Sequence, residues 1–182
     1  VAADLNQATD GYSRAEIYAL LLRALRGAGV SLGWCQDVAQ AVEFAGTDEC
    51  LSEIAGVLGS DWRVEIAGPS IRGSGLAPII AGCDCVLAGD APAQVHGAFS
   101  AASAAIVAHR AATAGTSIAV LPDTDGVRLQ LGNALLPEAS LERFHPEPAV
   151  LETLKRFAHL TYVPETEESR QAGAGAGLTD ND

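Results

Sequence analysis

The spacing of apolar residues divides this chain into a helical opening and a mixed remainder. Ile17, Leu20, Leu21, Ala24 and Ala28 recur at three- and four-residue intervals, which places them on one face of a helix. Ser13-Arg14-Ala15-Glu16 precedes them as a capping box, in which each side chain can satisfy a free backbone N–H at the other's position. Tyr12 and Ile17 hold the staple positions on either side, and Arg23 and Arg26 fall in the last turn, where they complement the helix dipole. Gly27 or Gly29 ends that helix. A second begins near 31–33, carries Trp34, Val38, Ala41, Val42 and Ala45 at helical spacing and stops at Gly46. A third runs from Thr47 or Asp48 with Leu51, Ile54, Ala55 and Leu58 inward and Gly59 after it. The connections are short, so successive helices should pack as hairpins.

After Ser60 the period changes. Trp62, Val64 and Ile66 alternate with Arg63 and Glu65, the pattern of a half-buried strand. Residues 68–78 are rich in Gly, Pro and Ser and read as a loop. Residues 79–88 are apolar except around Gly82-Cys83-Asp84, which predicts one buried strand or a short hairpin. Asp90 before Ala91-Pro92 reads as the N-cap of a helix with Val95, Phe99, Ala102 and Ile106 on one face, ending at Gly115. Residues 117–121 and 127–131 then flank Pro122-Asp123-Thr124-Asp125-Gly126, a hairpin signal dense in turn formers. Residues 138–144 offer a further short strand, and Pro146-Glu147-Pro148 introduces a last helix with Val150, Leu151, Leu154, Phe157 and Ala158 inward. Helices first, then strands mixed with helices, predict an α+β fold with a small, mostly antiparallel sheet. The expected organisation is one domain over 1–182: a helical subregion (1–60), a strand and helix subregion (61–160), and an ordered tail (161–182) packing back on the body. Residues 1–11 are small and polar and read as loose.

Composition narrows the function classes more than it names one. Of the 182 residues 48% are apolar but only 5% aromatic, so Leu, Val, Ile and Ala must fill the core. A net charge of −12 argues against nucleic acid as a partner, because phosphate binding needs a basic face. No apolar run approaches the ~20 residues of a membrane span, and no signal-peptide pattern opens the chain. Cys35, Cys50, Cys83 and Cys85 form no secreted disulfide pattern, and Cys83-Asp84-Cys85 is one residue short of a CxxC. A cytoplasmic protein with free thiols is the expectation. His96, His109, His145 and His159 make no metal-binding motif, so no metal site is expected. Gly73-Ser74-Gly75 is too short for a phosphate loop, and the cofactor stays unknown.

Two segments carry a resemblance. Arg26-Gly27-Ala28-Gly29, Ser31 and Gly33-Trp34 resemble the N-terminal signature of an uncharacterised bacterial family known as a domain of unknown function. Thr161-Tyr162-Val163-Pro164, the acidic run to Ser169-Arg170, and the GAGAGLTDND ending resemble the same family's C-terminus. The resemblance implies no activity, substrate or catalytic residue.

Candidate chemistry gathers at those two segments. Glycines 173, 175 and 177 let the tail backbone approach another surface, and Asp180, Asn181 and Asp182 offer oxygen ligands or acceptors for arginine. A solvated acidic tail, a tail docked on the body and a ligand site are all compatible with that composition. The turn between the first two helices is a natural partner. Arg23 and Arg26 lie on one side, Ser31 and Trp34 on the other, and a helix N-terminus there favours an anion. Arg170 joins them as a ligand-binding candidate, while Glu165, Glu168 and Asp180 are candidates for handling protons. Cys35 sits in the first turn of the second helix, where the dipole can lower a thiol pKa, but no His is near in sequence and a buried structural cysteine is the alternative. The glycines could equally just make a tight helix–helix turn. Two functions follow as expectations. One is binding or transformation of a small anionic metabolite where tail and turn meet. The other is a non-catalytic accessory subunit or interaction module, working as a homo-oligomer or with a partner subunit.

Overall fold

The computed structural model describes residues 11–89, 91–132 and 143–161. In chain order they form β1 (Tyr12–Ser13), α1 (Arg14–Gly27), α2 (Leu32–Ala45), α3 (Asp48–Val57), β2 (Val64–Ala67), β3 (Ser70–Gly73), α4 (Ala77–Leu87), β4 (Ala93–His96), α5 (Ala101–Thr113), β5 (Ile118–Asp123), β6 (Gly126–Leu131), β7 (Arg143–Phe144) and α6 (Pro148–His159). The fold is α+β.

The helical opening forms as its pattern predicts. Ser13 N donates to Glu16 Oε2 at 2.8 Å, and Glu16 N donates to Ser13 Oγ at 3.3 Å, so the capping box is closed. Ile17, Leu20, Leu21, Ala24 and Leu25 then bury one face of α1, which packs on α2 and α6. Thr47 caps α3 through its hydroxyl, which accepts from Cys50 N at 3.3 Å. The two-residue ladder of β1 with β7 sets Tyr12 opposite Phe144, whose ring is fully buried. Beside it, Asp48 accepts from His145 N at 2.9 and 3.1 Å. One core cluster runs from Ile17 on α1 through the sheet to Ala158 on α6. Among the described residues no helix is long and apolar enough to cross a membrane.

The remaining five strands form a sheet in the order β2-β3-β4-β6-β5. Only β3 and β4 run parallel; every other pair is antiparallel. A parallel pair needs a crossover, and α4 supplies it. Strand alternation sends Ile71, Val95 and Leu129 to the face that α4 covers, where all three are buried. Gly82 permits this packing: a Cβ there would lie 2.6 Å from Val95 Cγ2 and 3.0 Å from Leu129 Cδ1. The same register puts Ser70, Gln94, His96, Asp123 and Arg128 on the opposite, polar face.

Three expectations for the middle of the chain are overturned. Residues 79–88 form most of a helix, not a strand or hairpin. Ala77 to Cys83 and Val86 are all buried and Asp84 is the one charged residue of α4, so the segment shows no helical stripe that would tell it from a buried strand. Residues 68–78 are not one loop, because β3 lies within them. Gly68 (φ 60) and Pro69 make a two-residue turn between Ala67 and Ser70, with glycine at a position that wants positive φ. The helix expected from Asp90 to Gly115 divides into β4 and α5. Ala93 and Val95 are buried and Gln94 and His96 half-buried, which is strand alternation. Ser100 caps α5 instead, its hydroxyl accepting from Ser103 N at 3.2 Å. The Glu53 carboxylate accepts from the backbone N–H groups of Ala101 and Ala102 at 3.3 and 2.7 Å. Asp90 itself lies outside the described residues.

Smaller differences follow the same logic. Asp123 pairs with Gly126, so the hairpin turn shrinks to Thr124-Asp125. Pro122 then stands inside β5, tolerated because β5 is an edge strand. Ile66, expected inward, is 54% exposed on the outer strand β2. Residues 1–10, most of 138–144 and the tail from 162 onward lie outside the described residues.

Candidate functional site

The residues singled out at the turn between the first two helices take separate positions. Arg23 is exposed and its Nε donates back to Ala19 O at 3.1 Å; Arg26 is exposed as well. Gly27 serves packing, since a Cβ there would meet the Phe157 backbone of α6. Ser31 is the N-cap of α2 but makes no side-chain capping bond. Trp34 lies inside α2, half-buried against the core. Cys35 takes the structural alternative. It is fully buried, its Sγ donates to Val30 O at 3.3 Å, and burial pushes the thiol up to about 11 despite the nearby charge of Arg26. That thiol is a core group, not an activated nucleophile. Glu165, Glu168, Arg170 and Asp180 lie outside the described residues.

A different group converges on the polar face of the sheet. Ser70 opens β3 directly after the Gly68-Pro69 turn, and His96 closes β4. The parallel register sets Ser70 opposite Gln94, and Ser70 Oγ and His96 Nε2 meet at 2.9 Å although 26 residues separate them in sequence. With the imidazole protonated at Nδ1, Nε2 accepts the serine hydroxyl. Around the pair, Gln94 Nε2 donates to Asp123 Oδ2 at 3.0 Å, and Arg128 donates to the same oxygen at 3.2 Å. Thr124 N donates to Asp123 Oδ1 at 2.8 Å. The backbone bond from Thr124, then the Arg128 and Gln94 side chains, hold the Asp123 carboxyl below its ordinary range. Asp123 therefore stays charged and ties β4, β5 and β6 together at this end of the sheet.

A shallow pocket of about 190 Å³ opens beside His96, lined by Gln94, His96, Asp123, Thr124 and Asp125 among others, and Ser70 lies outside that lining, one hydrogen bond from it. Its walls are fixed by backbone. Gly126 lacks the Cβ that would strike Val95 O, so the hairpin closes onto β4. Gly97, at φ 116, turns the chain away directly after His96, and its N–H donates to Asp125 O at 3.0 Å. Both Ser70 and His96 are half-buried, so they are held and still reachable. No local motif announces this pairing. The one available signal is the period-two alternation of Ala93-Gln94-Val95-His96, which makes Gln94 and His96 neighbours on one face.

A second cluster joins three helices. Arg110 on α5 bridges Asp37 on α2 and Asp84 on α4, with its side chain 14% exposed. Its Nε is buried without a hydrogen-bond partner among the described residues. Burial raises the Asp84 carboxyl against the opposing pull of Arg110, and burial lowers the neighbouring His109 imidazole. Burial also pushes the Cys83 thiol up to about 12. A pocket of about 200 Å³ adjoins, lined by Gln40, His109, Thr113 and the ion pair's edge. The arrangement works as a clasp between helices, its charges already spent on one another. A third pocket, of about 430 Å³, is lined by Ile66, Ile71, Cys85 and small residues, and it gathers no polar constellation. Among the described residues no group of three His, Cys, Asp or Glu side chains could hold a metal ion.

Comparison with known proteins gives no match: no family model, no curated protein and no solved structure is similar to the chain.

Proposed function

We propose that this is a cytoplasmic protein that binds or transforms a small polar metabolite on the open face of its sheet, in the pocket beside His96. One observation carries the reading: His96 lines that pocket, and its imidazole meets a serine hydroxyl from a different strand at 2.9 Å. The pocket's volume of about 190 Å³ sets the ligand's size, since drug-sized and cofactor sites run to ~300–1,000 Å³. Asp125 leaves the rim acidic, while Arg128 offsets Asp123. Neutral or cationic ligands suit this site better than the anion expected from the sequence. A screen of small metabolites by protein-detected NMR tests the proposal. Ligands should shift the amides of 94–97 and 123–126 in the wild type and not in His96→Phe, whose ring fills the pocket. Hits whose shifts cluster elsewhere would refute it.

A second reading keeps the anion. Ser31 leaves the first-turn N–H groups of α2 without a side-chain cap, and the charge of exposed Arg26 reaches the same turn. An anionic metabolite, or the acidic tail bearing Asp180 and Arg170, would complement that end. Phosphate titration should then move the amides of 32–34 and lose that response in Arg26→Ala. Membership of the uncharacterised bacterial family is likewise proposed, on the two terminal motifs.

A further inference from the structure

We infer that Ser70 is a nucleophile activated by His96, and that the pocket's substrate is a small neutral or cationic ester. The inference rests on the pocket proposed above and adds chemistry to it. A hydroxyl bonded to an imidazole that can take its proton is the core of nucleophilic acyl transfer. Here the two partners sit on backbone positions that strand register fixes, Ser70 opposite Gln94 and His96 two residues on. The Gln94–Asp123–Arg128 network then holds β4 against the hairpin. The pair is therefore positioned before any ligand arrives, which is what proximity catalysis requires.

The step balances without an outside reagent other than water. Ser70 Oγ attacks the ester carbonyl carbon while its proton passes to His96 Nε2. The carbon–oxygen bond to the leaving alcohol breaks, and the imidazolium returns the proton to that alcohol. Water, giving a proton to His96, then attacks the acyl carbon; the bond from that carbon to Ser70 Oγ breaks, the imidazolium returns the proton to Oγ, and the carboxylic acid leaves. Asp125, on the same pocket rim, favours the transient imidazolium and repels the carboxylate product. The acidic rim also selects against anionic esters.

The probe is a small neutral fluorophosphonate, read by intact mass and peptide mapping on the full chain. Its phosphorus bonds to a reactive serine oxygen as fluoride leaves. One adduct should form on Ser70, vanish in Ser70→Ala, and form about 10²-fold more slowly in His96→Gln, the lower bound for losing a general base. Thermal melting of each variant confirms that it is folded. An adduct that persists in Ser70→Ala, or a labelling rate untouched by His96→Gln, overturns the inference. If an unreactive amide analogue still shifts the amides of 94–97 while no adduct forms, the nucleophile is refuted and the binding pocket stands. If neither occurs, both fall.

Discussion

Gly27 offers the sharpest test of how this fold is held, because the space for one methyl group decides the outcome. A Cβ at Gly27 would lie 2.8 Å from the carbonyl carbon of Phe157, closer still to its oxygen, and 3.3 Å from Leu160 Cβ. Comfortable carbon contacts begin near ~3.5 Å, so α6 must retreat by at least roughly 0.7 Å. The obstacle is backbone, and the Phe157 carbonyl already accepts from Leu160 N at 3.0 Å, so no rotamer change relieves the clash. Retreat loosens Leu154, fully buried on α6, and Ala158 beside it. Overpacking of this kind costs ~1–3 kcal/mol, and the helix-propensity gain of alanine over glycine offsets at most ~1 kcal/mol of it. Gly27→Ala should therefore destabilise by about 1–2 kcal/mol, read as a lower urea midpoint at unchanged slope. Gly56→Ala is the control. Gly56 lies within α3 with nothing within 4 Å of the added Cβ, so it should stabilise by roughly 0.5–1 kcal/mol. A Gly27→Ala protein as stable as wild type would refute the packing role of this motif glycine.

The helix clasp and the buried thiols give the other expectations. Arg110→Met leaves Asp37 and Asp84 unpaired and should cost about 1–3 kcal/mol in urea unfolding, below the fully buried case because Asp84 is half-exposed. Adding Asp37→Asn and Asp84→Asn should restore most of that loss; failure to recover would contradict the clasp. Burial holds the His109 imidazole below its ordinary value of about 6.5, against the upward pull of Asp37 and Glu43. Between the folded pKa and 6.5 the unfolded chain binds more protons, so stability should fall as pH drops through that window. His109→Gln should flatten that slope, and an unchanged slope would place its origin elsewhere. At pH 7.5 the native protein should react with an aromatic disulfide reagent first at half-buried Cys85, with Cys35 and Cys83 reacting only on unfolding. Fast labelling of Cys35 would contradict its burial.

Local chemistry made the N-terminal third legible. The Ser13–Glu16 box, the Thr47 cap and the helical stripe of Ile17, Leu20, Leu21 and Ala24 are decided within a few residues, and the structure realises each of them, with Leu25 buried beside them and Ala28 left as the C-cap. The hairpin of β5 and β6 was legible for the same reason, although cross-strand pairing of Asp123 with Gly126 pulled Pro122 into the strand. What the sequence concealed is non-local. α4 is buried from Ala77 to Cys83 and carries one charge, Asp84, so little amphipathic contrast marks it. β3 is four residues long and lies among turn formers, and its strand character comes from pairing with β2 and β4. The meeting of Ser70 with His96 depends on that same parallel register, created by a crossover through α4. Arg110 likewise finds Asp37 and Asp84 only once three helices have packed. The segment from Arg26 to Trp34 holds a packing glycine and a tryptophan half-buried against the core.

The most direct test of the central claim is a crystal structure of the chain after reaction with the fluorophosphonate. The phosphorus should be bonded to Ser70 Oγ, beside the pocket that His96 lines, with the His96 imidazole within hydrogen-bond distance of Ser70. Phosphorus bonded to any other residue, or Ser70 and His96 turned away from one another, would contradict it.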